Sequence, residues 1–231
     1  MDIKSSLMLC ESINFHDICD IYPIELKDYI RDDDKFNKLY LPYVISKDIL
    51  TEEYKKYSVF EIIFANDEYM ETLFNSLIVF CKTENIKIKT NNNGEPELYF
   101  NDNLKSLNKN NFDELADIIL LSGGKEKYKA EKIPIFETAE GYECWKKYEE
   151  MKEKYSKKQD VSVANIINVA QSGGRSYITE DTIKHWSMWK LMNTYSSNIN
   201  RDGYDKQYSQ YLVTGKTDGI KEHWSELLKV K

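Results

Sequence analysis

Apolar residues recur at steps of three and four along most of this chain, and at steps of two in one short stretch. The helical period is clearest in DEYMETLFNSLIVFCK, where Tyr69, Leu73, Leu77 and Phe80 fall on one face. Asn66 stands where an N-cap belongs. Ser58 precedes Glu61 by three, the spacing of a capping box. In NNFDELADIILLSGG the pattern predicts a helix capped by Asn111 and answered by Glu114. Its apolar face would be Leu115, Ile118 and Ile119, and Gly123-Gly124 would stop it. Between these helices, IKIKTNNNGEPELYF alternates Ile86 and Ile88 with lysines, turns across Asn91–Pro96 and resumes with Leu98 and Phe100. That predicts a β-hairpin over about residues 85–101, and no other convincing strand pair is legible. Residues before Pro23 read equally as a short strand or as irregular packing. From Ile24 a helix with Leu26, Tyr29 and Ile30 on one side runs out into the acidic RDDDK, read as a solvated end.

The C-terminal half is helical throughout. GYECWKKYEEMKEKYSKK places Tyr142, Trp145, Tyr148 and Tyr155 at near-helical spacing within a charged segment, which suits an exposed helix or a connector. VSVANIINVAQ ends at Gly173-Gly174. TEDTIKHWSMWKLMN then carries the signals of one helix. Thr179 is the N-cap, Glu180 and Asp181 favour the positive end of the helix dipole, and Ile178 with Ile183 forms a hydrophobic staple. His185, Met188, Trp189, Met192, Tyr195 and Ile199 share one stripe, with Trp186 toward its edge. Tyr204, Tyr208, Tyr211 and Leu212 suit a further helix ended by Gly215, and Asp218 can start a last one. The expected fold is mainly α, helical domain or domains with one small β-hairpin. An acidic N-terminal α domain with the hairpin would span residues 1–123, a charged connector or helix 124–160, and a helical bundle 161–231. All of these could belong to a single domain.

Composition narrows the class. A chain of 231 residues with 41% apolar and 31% charged side chains can bury a core, so it is read as folded. Charge is uneven: residues 1–120 hold 23 acidic and 13 basic side chains, and residues 121–231 hold 16 and 19. The acidic half repels phosphate backbones, so nucleic acid is not an expected partner. Cys10, Cys19, Cys81 and Cys144 form no CxxC pair, and no basic-then-apolar leader is present. The expectation is four free thiols in a reducing cytoplasm. The apolar runs are too short to span a bilayer.

Candidate chemistry yields little when weighed against simpler readings. His185 and His223 lack a visible nucleophile, and Glu226 is only a helix-face neighbour of His223. Cys10, His16 and Cys19 do not have the paired spacing of a zinc site. The glycine pairs follow helices, so they read as C-caps rather than phosphate loops. Asp32, Asp33 and Asp34 read as a solvated run rather than a cation site. A helix-turn-helix would rely on Lys184, Lys190 and Asn193 alone, which is thin for base readout. No catalytic, cofactor-binding or metal residue is therefore expected, and the protein is read as not an enzyme. Trp186 and Trp224, in the similar pieces IKHW and IKEHW, are the candidate partner-binding residues.

YPIELKDYI, the hairpin leading into LNKNNFDELADIILLSGG, the charged connector, DTIKHWSMWKLMNTYSS and the terminal IKEHW together resemble tail-module proteins of phages and prophages of low-GC Gram-positive bacteria. Among these the chain is most similar to tail assembly chaperones, whose genes adjoin the tape-measure gene. The likeness lies in the order of elements over most of the chain and carries over no functional residue. It implies a non-catalytic tail assembly factor that binds the tape-measure protein or the tail tube subunit, in the host bacterial cytoplasm or in the virion tail. The alternatives are a permanent structural part of the tail and a DNA-binding regulator using the C-terminal helices.

Overall fold

The computed structural model describes residues 2–101, 103–129, 138–156, 162–173 and 177–215. Among the described residues the fold is mainly helical with two small sheets. Its main core forms around two helices. Helix α6 (Asp67–Cys81) is capped by Asn66, whose side chain accepts from the backbone N–H groups of Glu68 and Tyr69. Leu73, Leu77 and Phe80 on its inner face are fully buried. Helix α7 (Phe112–Ser122) lays Leu115, Ile118 and Ile119 against the same core. Short helices complete the wall, α1 (Ile3–Leu9), α3 (Asp33–Leu39), α4 (Leu41–Val44) and α5 (Val59–Phe64), while α2 (Leu26–Arg31) turns its buried residue elsewhere. Tyr40, Tyr43, Phe60, Phe80 and Phe112 form a chain of edge-on, tilted and stacked ring contacts through the middle.

Local signals decided several of these elements. The capping box at α5 is complete: Ser58 accepts from the Glu61 N–H, and the Glu61 carboxylate accepts from the Ser58 N–H. Helix α7 ends at Gly123, where a Cβ would lie 2.6 Å from the Tyr40 ring, and Gly124 follows with φ +63°. Other elements differ from the expectation. The acidic run begins a helix instead of only ending one. Asp32 accepts from the Lys35 N–H, and Asp33 and Asp34 occupy the first turn of α3. Asn111 does not cap α7. Its side chain accepts from the Asn108 N–H and donates to the Ser106 carbonyl, and Glu114 pairs with His16 instead.

The expected hairpin is present as β3 (Ile86–Thr90) and β4 (Pro96–Phe100), with Ile88 opposite Leu98. A third strand, β5 (Ser106–Leu107), extends this sheet. A second hairpin that the sequence did not reveal joins β1 (Ile13–Phe15) to β2 (Cys19–Ile21). Its turn places His16 and Asp17 in left-handed conformation.

Helix α8 (Ala139–Ser156) has no buried side chain among those described. Helix α9 (Val163–Ser172) packs Ile166 and Ala170 into a second, smaller cluster. The expected single helix from Thr179 is in fact two. Thr179 does cap the short α10 (Glu180–Ile183), but Ser187 then caps α11 (Met188–Thr214) by accepting from the Lys190 N–H. The break is set by a distant strand-like contact. Glu25 bridges to Ser187, and the N–H groups of Leu26 and Lys27 donate to the Trp186 and Lys184 carbonyls at 2.8 and 3.0 Å. In turn α11 absorbs the helix expected around Tyr204–Leu212 and ends at Gly215, φ +68°.

The two clusters exchange residues. Trp189, on α11, joins the main core, while Leu26, on α2, sits in the smaller cluster with Ile183, Trp186 and Leu191. A helix expected after Asp218 falls outside the described residues.

Candidate functional site: a tyrosine-lined groove

A large apolar concavity lies against α5 and the start of α6. Residues 51–57 form turns rather than a helix, and these turns carry Tyr54 and Tyr57 outward. The Ser58–Glu61 capping box fixes where the turns end and α5 begins. Tyr69 lies in the first turns of α6, just beyond the Asn66 cap. The opposite wall is the tip of the β3–β4 hairpin. There the Asn91 side chain accepts from the N–H groups of Asn93 and Glu95, and Gly94 takes φ +81°, which its missing Cβ permits. The groove holds about 700 Å³ and is lined by Tyr54, Tyr57, Ile62, Ala65, Tyr69 and Pro96.

All three tyrosines are 40–49% exposed, which is high for rings that could have packed inward. The Lys56 ammonium stands 5.0 Å from the Tyr57 ring centre. Two carboxylates, Glu61 and Glu95, line the groove around one cation, Lys109. Hydrogen bonds from the Ser58 backbone and hydroxyl hold the Glu61 carboxyl below its usual range. The Lys109 ammonium does the same for Glu95. Both are therefore ionised near neutral pH, and the trio carries one net negative charge. The arrangement offers flat aromatic faces, hydroxyls and a carboxylate pair. It suits binding of an apolar segment with polar groups at its edge.

The residues singled out in the sequence lie elsewhere. Trp186 is 8% exposed, buried among Leu26, Ile183 and Leu191 with the Lys190 ammonium 4.8 Å from its ring. Trp224 and His223 lie outside the described residues. His185 leaves the apolar stripe and meets Glu25 at 2.6 Å. Lys184 pairs with Asp181 at 2.7 Å, so it does not project freely from a recognition helix. All four cysteines are free thiols, and Cys10, His16 and Cys19 do not form a metal-holding group. Among the described residues no group of three or more His, Cys, Asp or Glu side chains could hold a metal. No described helix is long and apolar enough to cross a membrane.

Sequence reasoning passed over the groove. Its available signal was the cluster Tyr54, Tyr57 and Tyr69 beside a capping box, but the hairpin wall comes from residues far along the chain. No protein-family model, curated protein or solved structure matches this chain.

Proposed function

We propose that the protein is a non-catalytic assembly factor that seats a segment of a partner protein in the tyrosine-lined groove. The observation that carries this reading is the groove itself: three half-exposed tyrosines facing one cleft beside two ionised carboxylates. Tyrosines supply large rigid contact area at low entropic cost, which is why they concentrate at protein-binding surfaces. From the resemblance of the sequence to tail assembly chaperones, that segment belongs to a phage tail protein, in the first place the tape-measure protein and otherwise the tail tube subunit. Covering such a segment would keep it from aggregating until the tail polymerises.

The test is co-expression with the tape-measure protein of the same phage or prophage. Co-purification and improved partner solubility are expected. The double variant Tyr57→Ala/Tyr69→Ala should lose co-purification while its melting temperature stays near that of the wild type. A double variant that still binds removes the groove from the account. Retention of the protein in purified virions at fixed copy number would replace the chaperone with a structural tail part.

A further inference from the structure

Cys19 and Cys81 lie far apart in sequence but meet in the fold. Cys19 opens β2 and Cys81 closes α6. The two elements are tied beside the thiols, where the Tyr22 N–H donates to the Phe80 carbonyl at 2.7 Å. Both cysteines line one polar cleft of about 240 Å³, together with Asp20, Tyr22, Thr83 and Asn101. Of the groups around the Cys81 thiol, the Cys19 thiol acts on it most strongly. Cys19 is partly exposed, whereas Cys81 is buried. Directly after Cys81 the chain turns away through Lys82 in left-handed conformation.

We propose that Cys19 and Cys81 are a redox pair that peroxide converts into an intramolecular disulfide. The proposal is independent of the partner-binding reading. Cys19, reachable from the cleft, attacks the peroxide O–O bond. Its S–H becomes S–OH and one water leaves. The Cys81 sulfur then displaces the hydroxyl from the Cys19 sulfur, forming the S–S bond. The hydroxyl departs with the Cys81 proton as a second water. Two thiols lose two electrons, and one peroxide gains them. Contact with Cys19 and burial both push the Cys81 thiol up, so Cys19 and not Cys81 is the thiol that meets peroxide first.

The product ties β2 to the end of α6 across the polar cleft and closes a long loop. A native-compatible link of that length should raise the melting temperature by roughly 5–10 °C. The experiment treats the full reduced chain with hydrogen peroxide, alkylates it under denaturing conditions and maps the peptides. The expected result is a Cys19–Cys81 linked peptide, with Cys10 and Cys144 still alkylated, and a melting shift that dithiothreitol reverses. Cys19→Ser should show neither the link nor the shift. The wild-type mapping decides the matter even if that variant folds poorly. The proposal is overturned if Cys19 and Cys81 both remain alkylatable, if Cys19 runs on to sulfinic acid, or if either links to Cys10 or Cys144.

Discussion

Helices α7 and α8 lie close in sequence and differ in almost every physical respect. The shorter, α7, buries Phe112, Leu115, Ala116, Ile118, Ile119, Leu120 and Ser122. The longer, α8, buries none of its described side chains, although it carries Tyr142, Trp145, Tyr148 and Met151. Aromatic content therefore does not by itself make a core helix. In α7 the apolar residues fill a broad face with few charges between them. In α8 single aromatics alternate with lysines and glutamates. It relies on helix propensity and on local ion pairs such as Glu149–Lys152 at 3.2 Å, and each such pair is worth a few tenths of a kcal/mol. The same contrast runs along α11. Its first turns hold Trp189 and Leu191 in the interior, while its last turns expose Leu212 and Val213.

The largest expected effect tests the contrast directly. Phe112→Ala should destabilise the fold by about 3–5 kcal/mol in urea unfolding, while Tyr148→Ala should stay within about 0.5 kcal/mol. Equal losses would show that α8 is part of the cooperative core. Trp189→Ala should group with Phe112→Ala, because its ring sits in the main cluster although its helix is C-terminal.

Next in size is a buried polar contact inside the main core. Ser76 donates to the Leu73 carbonyl at 2.7 Å, which leaves the Tyr43 hydroxyl to donate to Ser76 at 2.6 Å. Ser76→Ala should cost about 1–3 kcal/mol by stranding that hydroxyl. Adding Tyr43→Phe to Ser76→Ala should recover part of the loss in a double-mutant cycle.

On the exposed side of the contrast, Gly203 lies within α11 with open space where a Cβ would go. Gly203→Ala should stabilise the distal half of that helix by about 0.5–1 kcal/mol, read as slower amide exchange beyond residue 199. No slowing would mean that the distal helix is already held by something other than its own backbone.

The smallest effect concerns the junction between the halves. Glu25 has its carboxyl held below the usual value near 4.5, first by Lys27 and also by His185. A carboxylate lowered on folding adds stability that is present above about pH 4.5 and is lost as pH falls through the folded value. The pair is half-exposed and solvent-screened, so its contribution should be at most about 1 kcal/mol. Glu25→Gln should flatten the acid limb of the stability curve and leave the alkaline limb unchanged.

What was legible in the sequence is what local chemistry decides. Ser58 with Glu61, Asn66 and Thr179 all cap as their spacing implied. The β3–β4 hairpin followed from alternation around an Asn/Gly turn. The β1–β2 hairpin was hidden because its strands are three residues each and its left-handed turn uses His16 and Asp17 where glycine or asparagine would have signalled it. Asn111 misled because its side chain has nearer partners in Ser106 and Asn108 than the helix N–H groups. The break before α11 depends on Glu25 and Leu26, and no window around Ser187 contains them. The groove was invisible for the same reason, since its walls are assembled from turns that only the fold brings together.

The exchange of Leu26 and Trp189 between the clusters has a consequence for synthesis. Glu25 and His185, which flank the junction, are separated by 160 positions in the chain. A ribosome adding about 5–20 residues per second needs roughly 10–30 s to make the intervening stretch. Throughout that interval the N-terminal half has emerged without the tryptophan that completes its core, and Leu26 has no cluster to enter. The nascent chain therefore passes through a sticky stage whose length is set by translation, and codon-dependent pauses before residue 185 would lengthen it.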